Sequence, residues 1–316
     1  MGTFEGHLLP GLGLLMYAIY YSSLMSLALL RKQRMLKHPL LPRKLLGCRL
    51  FLPVSYEAVV KVAIPAFATV CEYYYPLGVN RLKMIDWKDP RLFVFKDNWE
   101  HVTMFGFFIL SGIADIVSQA QRAPWSVKLE RAAEALTFYV VALLMISHIE
   151  NKSVLEIPVH LLFVLPAFLL ALLLTVEIWV PDNAPLWVLK SWMALVLSTW
   201  MLQICEMYIP FTGQPWRADN PTDLAFITIF FCWHLVLGLT LLITIYGLCS
   251  LWHHHYSSWT KTLGARYQRC LTESSSEELE KQCGSCGTGW RCVGTAAVSS
   301  VHAHLGVHST ALHPRI

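Results

Sequence analysis

Charge is scarce in this chain. Asp, Glu, Lys and Arg make up 15% of its 316 residues, where a soluble domain carries roughly a quarter. The charges that exist cluster between apolar runs of about twenty residues, the length that crosses roughly 30 Å of hydrocarbon. A formal net charge of +4, with no basic stripe, argues against nucleic acid as a partner. No Lys or Arg precedes the first apolar run, so it does not read as a cleaved signal peptide. Proline is missing between residues 222 and 313, which removes the kinked motif that a rhodopsin-type receptor carries in its last span. The third span ends Val117-Ser118-Gln119-Ala120-Gln121-Arg122, without the Asp/Glu-Arg-Tyr-like triplet of that class. A ligand-sensing receptor of this type is therefore disfavoured. An intramembrane zinc hydrolase would want His-x-x-x-His on its last span, but Gly238 follows His234 at that spacing. No catalytic motif of a known kind is present, and no enzyme activity is expected. The loops placed outside the membrane below carry no cysteine. Of nine cysteines, Cys48, Cys270, Cys283, Cys286 and Cys292 fall in segments placed in the cytosol, where disulfides are rare.

What is present is apolar length, with a mean hydropathy of +0.47. Seven apolar segments, roughly 8–30, 53–75, 99–119, 131–148, 158–180, 186–209 and 224–252, predict an all-α integral membrane bundle of about seven transmembrane helices. The expected organisation is a bundle over 1–252, a cytosolic interfacial amphipathic helix over 253–270, and a disordered tail over 271–316. Trp252, Tyr256, Trp259, Leu263 and Tyr267 recur at helical spacing among basic residues, which suits anionic lipids at the cytosolic face. From about 270 onward the chain is rich in Ser, Gly and His, the composition of a disordered segment. The loop after the first span holds Arg31, Lys32, Arg34, Lys37, Arg43, Lys44 and Arg49 with no acid. The positive-inside rule then places the N-terminus outside or lumenal and the C-terminus in the cytosol.

Ionisable residues inside the spans are the strongest anomaly, because they are costly in lipid and must face the bundle interior or a hydrated cavity. Glu57, Lys61, Asp115, Glu134 and Glu177 sort toward the cytosol. His7, His101, His148, His160 and His234, with Gln203 and Glu206, sort toward the outside. Glu57 and Lys61 share a helical face and suit an ion pair. Three readings stay open. The groups hold helices together through interhelical hydrogen bonds. Alternatively, His101, His148, His160 and His234 bind zinc, another divalent metal or a proton; no other cofactor is expected. In the third, both tiers line a ligand pocket.

The combination Phe4-Glu5-Gly6-His7-Leu8-Leu9-Pro10-Gly11, Glu57, Glu100-His101-Val102-Thr103-Met104, Ser111-Gly112 with Asp115, Thr199-Trp200 with Gln203, and Phe226-Ile227-Thr228 with Phe231-Cys232-Trp233-His234 resembles the transmembrane protein 45 family, and within it the transmembrane epididymal branch. The resemblance covers roughly residues 4–250. It implies a seven-span fold in an endomembrane or the plasma membrane and lends no enzyme activity; an interaction or trafficking role is expected of the chain, with transport or metal/proton binding through the outer histidines as the alternative. Glu150 and Pro158 stand where the family resembles histidine, which implies that any metal site built there is weakened in this chain.

Overall fold

The computed structural model describes residues 4–32, 55–74, 81, 83–88, 90–121, 126–208 and 213–284. Seven helices stand where the apolar runs lie: α1 (Phe4–Leu30), α2 (Tyr56–Tyr74), α3 (Lys96–Gln121), α4 (Ser126–His148), α5 (Glu156–Trp179), α6 (Ala184–Tyr208) and α7 (Pro221–Gly284). Between α2 and α3 lies a two-residue antiparallel pairing, β1 (Ile85–Asp86) with β2 (Leu92–Phe93), in which Ile85 faces Phe93. Five helices, α1, α3, α5, α6 and α7, are long and apolar enough to cross a membrane. The other two carry Glu57, Lys61 and Glu72 on α2, and Lys128, Glu130, Arg131 and Glu134 on α4. The molecule is an all-helical membrane protein.

Local chemistry explains where helices begin. Ser153 and Glu156 form a reciprocal cap at the start of α5: Glu156 N–H donates to Ser153 Oγ at 3.2 Å, and Ser153 N–H to Glu156 Oε2 at 3.0 Å. Asn183 caps α6, its Oδ1 accepting from Leu186 N at 3.1 Å. This turn is short, so α5 and α6 run back antiparallel and bring their facing side chains into register.

The chain divides into two units, 1–257 and 258–316. In the first, α1, α6, α5, α4, α3 and α2 are neighbours in that order. The sequence closes back on α1 only loosely, because α1 and α2 meet at few points. Gly112 on α3 permits the tight approach to α2, since a Cβ there would lie 2.8 Å from Val62 Cγ2 and 3.1 Å from the Ala58 carbonyl oxygen. α7 packs on α6, where Trp192 Nε1–H donates to the Leu235 carbonyl at 3.0 Å. Gly238 gives the clearance for this contact: a Cβ would sit 2.8 Å from Val196 Cγ2. The core is buried around Trp200, Leu174, Leu197, Ile204 and Ile227.

In the second unit, the helix reaches Gly284, so residues 271–284 are ordered as helix rather than disordered as their neighbourhood's composition implied. The run Glu277-Glu278-Leu279-Glu280-Lys281 consists of strong helix formers, and Glu277 precedes Lys281 by the favourable four residues. Residues 285–316 of the expected tail, and the basic loop over 33–52, lie outside the described residues.

Candidate functional site

Charged side chains from five helices meet toward one end of the first unit. Lys61 Nζ on α2 lies 3.0 Å from Glu57 Oε1, one turn away, and 2.9 Å from Asp115 Oδ2 on α3. Tyr17 OH on α1 is 3.0 Å from Glu134 Oε1 on α4 and 3.3 Å from Glu57 Oε1, and Tyr21 OH donates to Glu57. On the other side of Glu134, Arg131 Nη1 is 3.4 Å from Glu177 Oε2 on α5, which also accepts from Lys190 Nζ on α6 at 2.7 Å. Carboxylates and cations thus alternate in a buried belt on either side of Tyr17, whose hydroxyl joins Glu57 to Glu134. In low dielectric each removes much of its neighbour's desolvation cost.

All five acid and base residues assigned to the cytosolic tier belong to this belt. Tyr17, Tyr21, Arg131 and Lys190 are the members that sequence reasoning missed. Lys190 had a readable signal, because the turn at 181–183 pairs residue 177 with residue 190 across the two antiparallel helices. Arg131 stands at the first residue of its apolar run, where a charge is ordinary, and the tyrosines carry no charge to draw attention to them.

The histidines sit at the other end, separated along α3 by the fourteen residues between His101 and Asp115, about 21 Å. Their rings lie in a row. The centroids of His101 and His148 are 5.3 Å apart, those of His148 and His160 5.3 Å, and those of His160 and His7 5.8 Å. Each of the first three is held by its Nδ1. His101 Nδ1 lies 2.9 Å from Glu72 Oε1, His148 Nδ1 2.8 Å from Glu100 Oε2, and His160 Nδ1 2.8 Å from the Glu156 carbonyl oxygen.

The structure does not gather the four histidines named as metal ligands around one point. His234 sits apart from the row, 3.3 Å from Gln203 Oε1 and edge-on to Trp200 at 5.4 Å. Trp200 donates to the Val159 carbonyl on α5 at 3.0 Å, so its indole stands between His234 and the helix that carries His160. Gln203 in turn donates to Glu206 Oε2 at 3.0 Å. Among the described residues, the one group whose ligand atoms all lie within 4.8 Å of one another is Asp97, Glu100 and His148. Lysines already neutralise that group: Lys152 Nζ lies 2.6 Å from Asp97 Oδ2, and Lys96 Nζ 3.8 Å from Glu100 Oε1. Glu150, one of the two departures from the family's histidines, pairs with Lys96 at 2.9 Å.

Between belt and histidines lies a cavity of about 410 Å³, lined by α1 to α6 and not by α7. Met104, Phe105, Phe108, Phe138, Phe163 and Ile204 form its apolar wall. Buried polar atoms of its wall without a hydrogen-bond partner include Ser111 Oγ and His160 Nε2. On the loose side between α1 and α2, the lining residues Met16, Val60 and Ile64 are 68%, 47% and 45% exposed. The cavity is therefore open there toward the apolar outer surface of the bundle.

A protein-family model described as a family of unknown function (DUF716) matches residues 127–247. The chain is similar to transmembrane epididymal protein 1A of Mus musculus, with 32% identity over 282 residues covering 89% of this chain and 92% of that protein. It is also 32% identical over 280 residues to transmembrane epididymal protein 1 of Rattus norvegicus, covering 88% and 90% of the two chains. With transmembrane epididymal protein 1 of Homo sapiens the identity is 31% over 227 residues, covering 71% and 82%.

Proposed function

The chain belongs to the family of transmembrane epididymal proteins, and from that premise we propose that it is a seven-span binding protein that holds a lipid-like ligand in the cavity between its charged belt and its histidines. The observation that carries this reading is the cavity itself. Its wall is apolar, its two ends are polar, and its open side faces lipid between α1 and α2. Pockets of this size with few polar groups at their ends bind small apolar molecules and orient them by those groups. A ligand entering from the bilayer would not have to cross water. The role is binding rather than catalysis, and it gives specific content to an interaction or trafficking function. In the orientation set by the basic loop after α1, the histidines face the outside or lumen and the belt faces the cytosol.

The reading is tested with an alkyl diazirine probe photolysed in nanodiscs that hold the protein, followed by peptide mapping. Labels on Leu9, Met16, Val60 and Phe105 are expected, with competition by unlabelled long-chain molecules. Labels confined to outward residues such as Leu143, Leu165 and Trp233, without competition, would overturn it.

A further inference from the structure

The hydrogen-bond state of the three histidines restricts what the cavity can hold. His160 decides the matter. Its Nδ1 faces the Glu156 carbonyl oxygen at 2.8 Å, and a carbonyl oxygen only accepts, so the proton sits on Nδ1. The ring is 3% exposed, and its Nε2 has no partner. A second proton on Nε2 would be a buried donor with nothing to bond. The neutral ring therefore presents a lone pair to the cavity. His101 and His148 repeat the arrangement, with Nδ1 against the Glu72 and Glu100 carboxylates. Both line the same cavity, and in the neutral ring their Nε2 atoms are acceptors too.

One acceptor whose lone pair is fixed by geometry, His160 Nε2, thus lines one end of an otherwise apolar cavity, next to the rings of His148 and His101. An acceptor-only head group placed there, such as a carboxylate or an ester, would meet that lone pair. A donor would satisfy at least the one buried nitrogen whose isolation carries a desolvation cost.

We propose that the histidine end of the cavity recognises the head group of a lipid-like molecule that donates hydrogen bonds, a long-chain alcohol or a long-chain ammonium. The inference rests on the binding role proposed above and names the ligand's class. The apolar body lies along Met104 and Phe108 toward Ser111, ten residues and about 15 Å further along α3. Ser111 Oγ, a second buried polar atom of the wall without a hydrogen-bond partner, marks the far end of that body. The geometry does not require the three nitrogens to converge on one point, which fits rings that stand in a row.

The test is a binding panel of equal chain length on the full-length protein in phosphatidylcholine nanodiscs: hexadecanol, hexadecylamine, palmitate, methyl palmitate and, separately, zinc chloride. Displacement of the photoreactive probe and thermal stability are read together. Hexadecanol, hexadecylamine or both should displace the probe with affinities at least about tenfold above the acid and the ester, the ratio expected from one satisfied buried hydrogen bond. His160→Leu should abolish that preference, bringing the affinities of the alcohol and the amine down to that of methyl palmitate. His160→Gln, whose carbonyl oxygen can accept, should retain part of it and controls for folding. Equal binding of all four long-chain compounds would overturn the head-group assignment while leaving the lipid-binding role intact. Failure of every long-chain compound would overturn both. Zinc stabilisation that His148→Asn and His160→Leu both remove, without a head-group preference, would assign the lone pairs to a metal and overturn the proposal.

Discussion

Lys61 is the residue on which most of the charged belt depends. It stands between two carboxylates, Glu57 and Asp115, each within 3.0 Å, with its own side chain 9% exposed. Lys61→Met leaves both acids facing each other without a cation. The loss should be at the upper end of the roughly 3–5 kcal/mol seen when one partner of a buried pair is removed. Glu57→Gln or Asp115→Asn leaves Lys61 one acid and should cost less. The triple variant, with Lys61, Glu57 and Asp115 all neutral, should recover part of the Lys61 loss because no stranded charge remains. Thermal unfolding in a mild detergent measures the series, and strictly additive losses would contradict a shared network. The Glu57–Lys61 contact was legible from their spacing of four on one helix. The third partner was not, because it depends on α3 being the neighbour of α2, a fact that helical periodicity does not contain.

The two glycines at helix contacts lead to opposite expectations from those of an open glycine. Gly112→Val places a side chain against Val62 and the Ala58 carbonyl, and backbone atoms cannot give way as a flexible side-chain end can. A loss of about 1–3 kcal/mol is expected, as in other overpacked cores. Gly106, two turns earlier on the same helix, has nothing within 4 Å of its would-be Cβ, so Gly106→Ala should be neutral or stabilise by up to about 1 kcal/mol through helix propensity. Equal effects at the two positions, read as the shift in unfolding temperature, would argue against the close approach of α2 and α3. Among the described residues, the positions of the seven helices and the approximate lengths of α1 to α6 were readable from the apolar runs, whereas α7 continues to Gly284, well past the run at 224–252. Gly238 shows the limit of motif reading. Its spacing from His234 invited a test for a second ligand, but the glycine stands there because α7 must come close to Val196 on α6. The separation of His234 from the other histidines has the same origin. Depth along a span is countable from sequence, whereas which side of α6 carries α7 is a packing outcome.

For the whole molecule, six helices surround the cavity, and the contact between α1 and α2 is the loose one. This arrangement places polar groups at the two ends of an apolar interior, where a lipid-like molecule can lie along the bundle. The proposed orientation across the membrane rests on the basic residues between 31 and 49. A tag near residue 40 should be protected from antibody until the cytosolic side is opened, and a tag at residue 1 should be shielded from the cytosol. The reverse pattern would place the histidines toward the cytosol and invert the side from which a head group is recognised.

The most direct test of the central claim is a density map of the protein in nanodiscs of native lipid, at a resolution that shows side chains. The account predicts one elongated density inside the six-helix ring, with its polar end within hydrogen-bonding distance of His160 Nε2 and its body along Phe108 and Phe138. A cavity filled by ordered water, or closed by α1 moving onto α2 with no ligand between them, would contradict it.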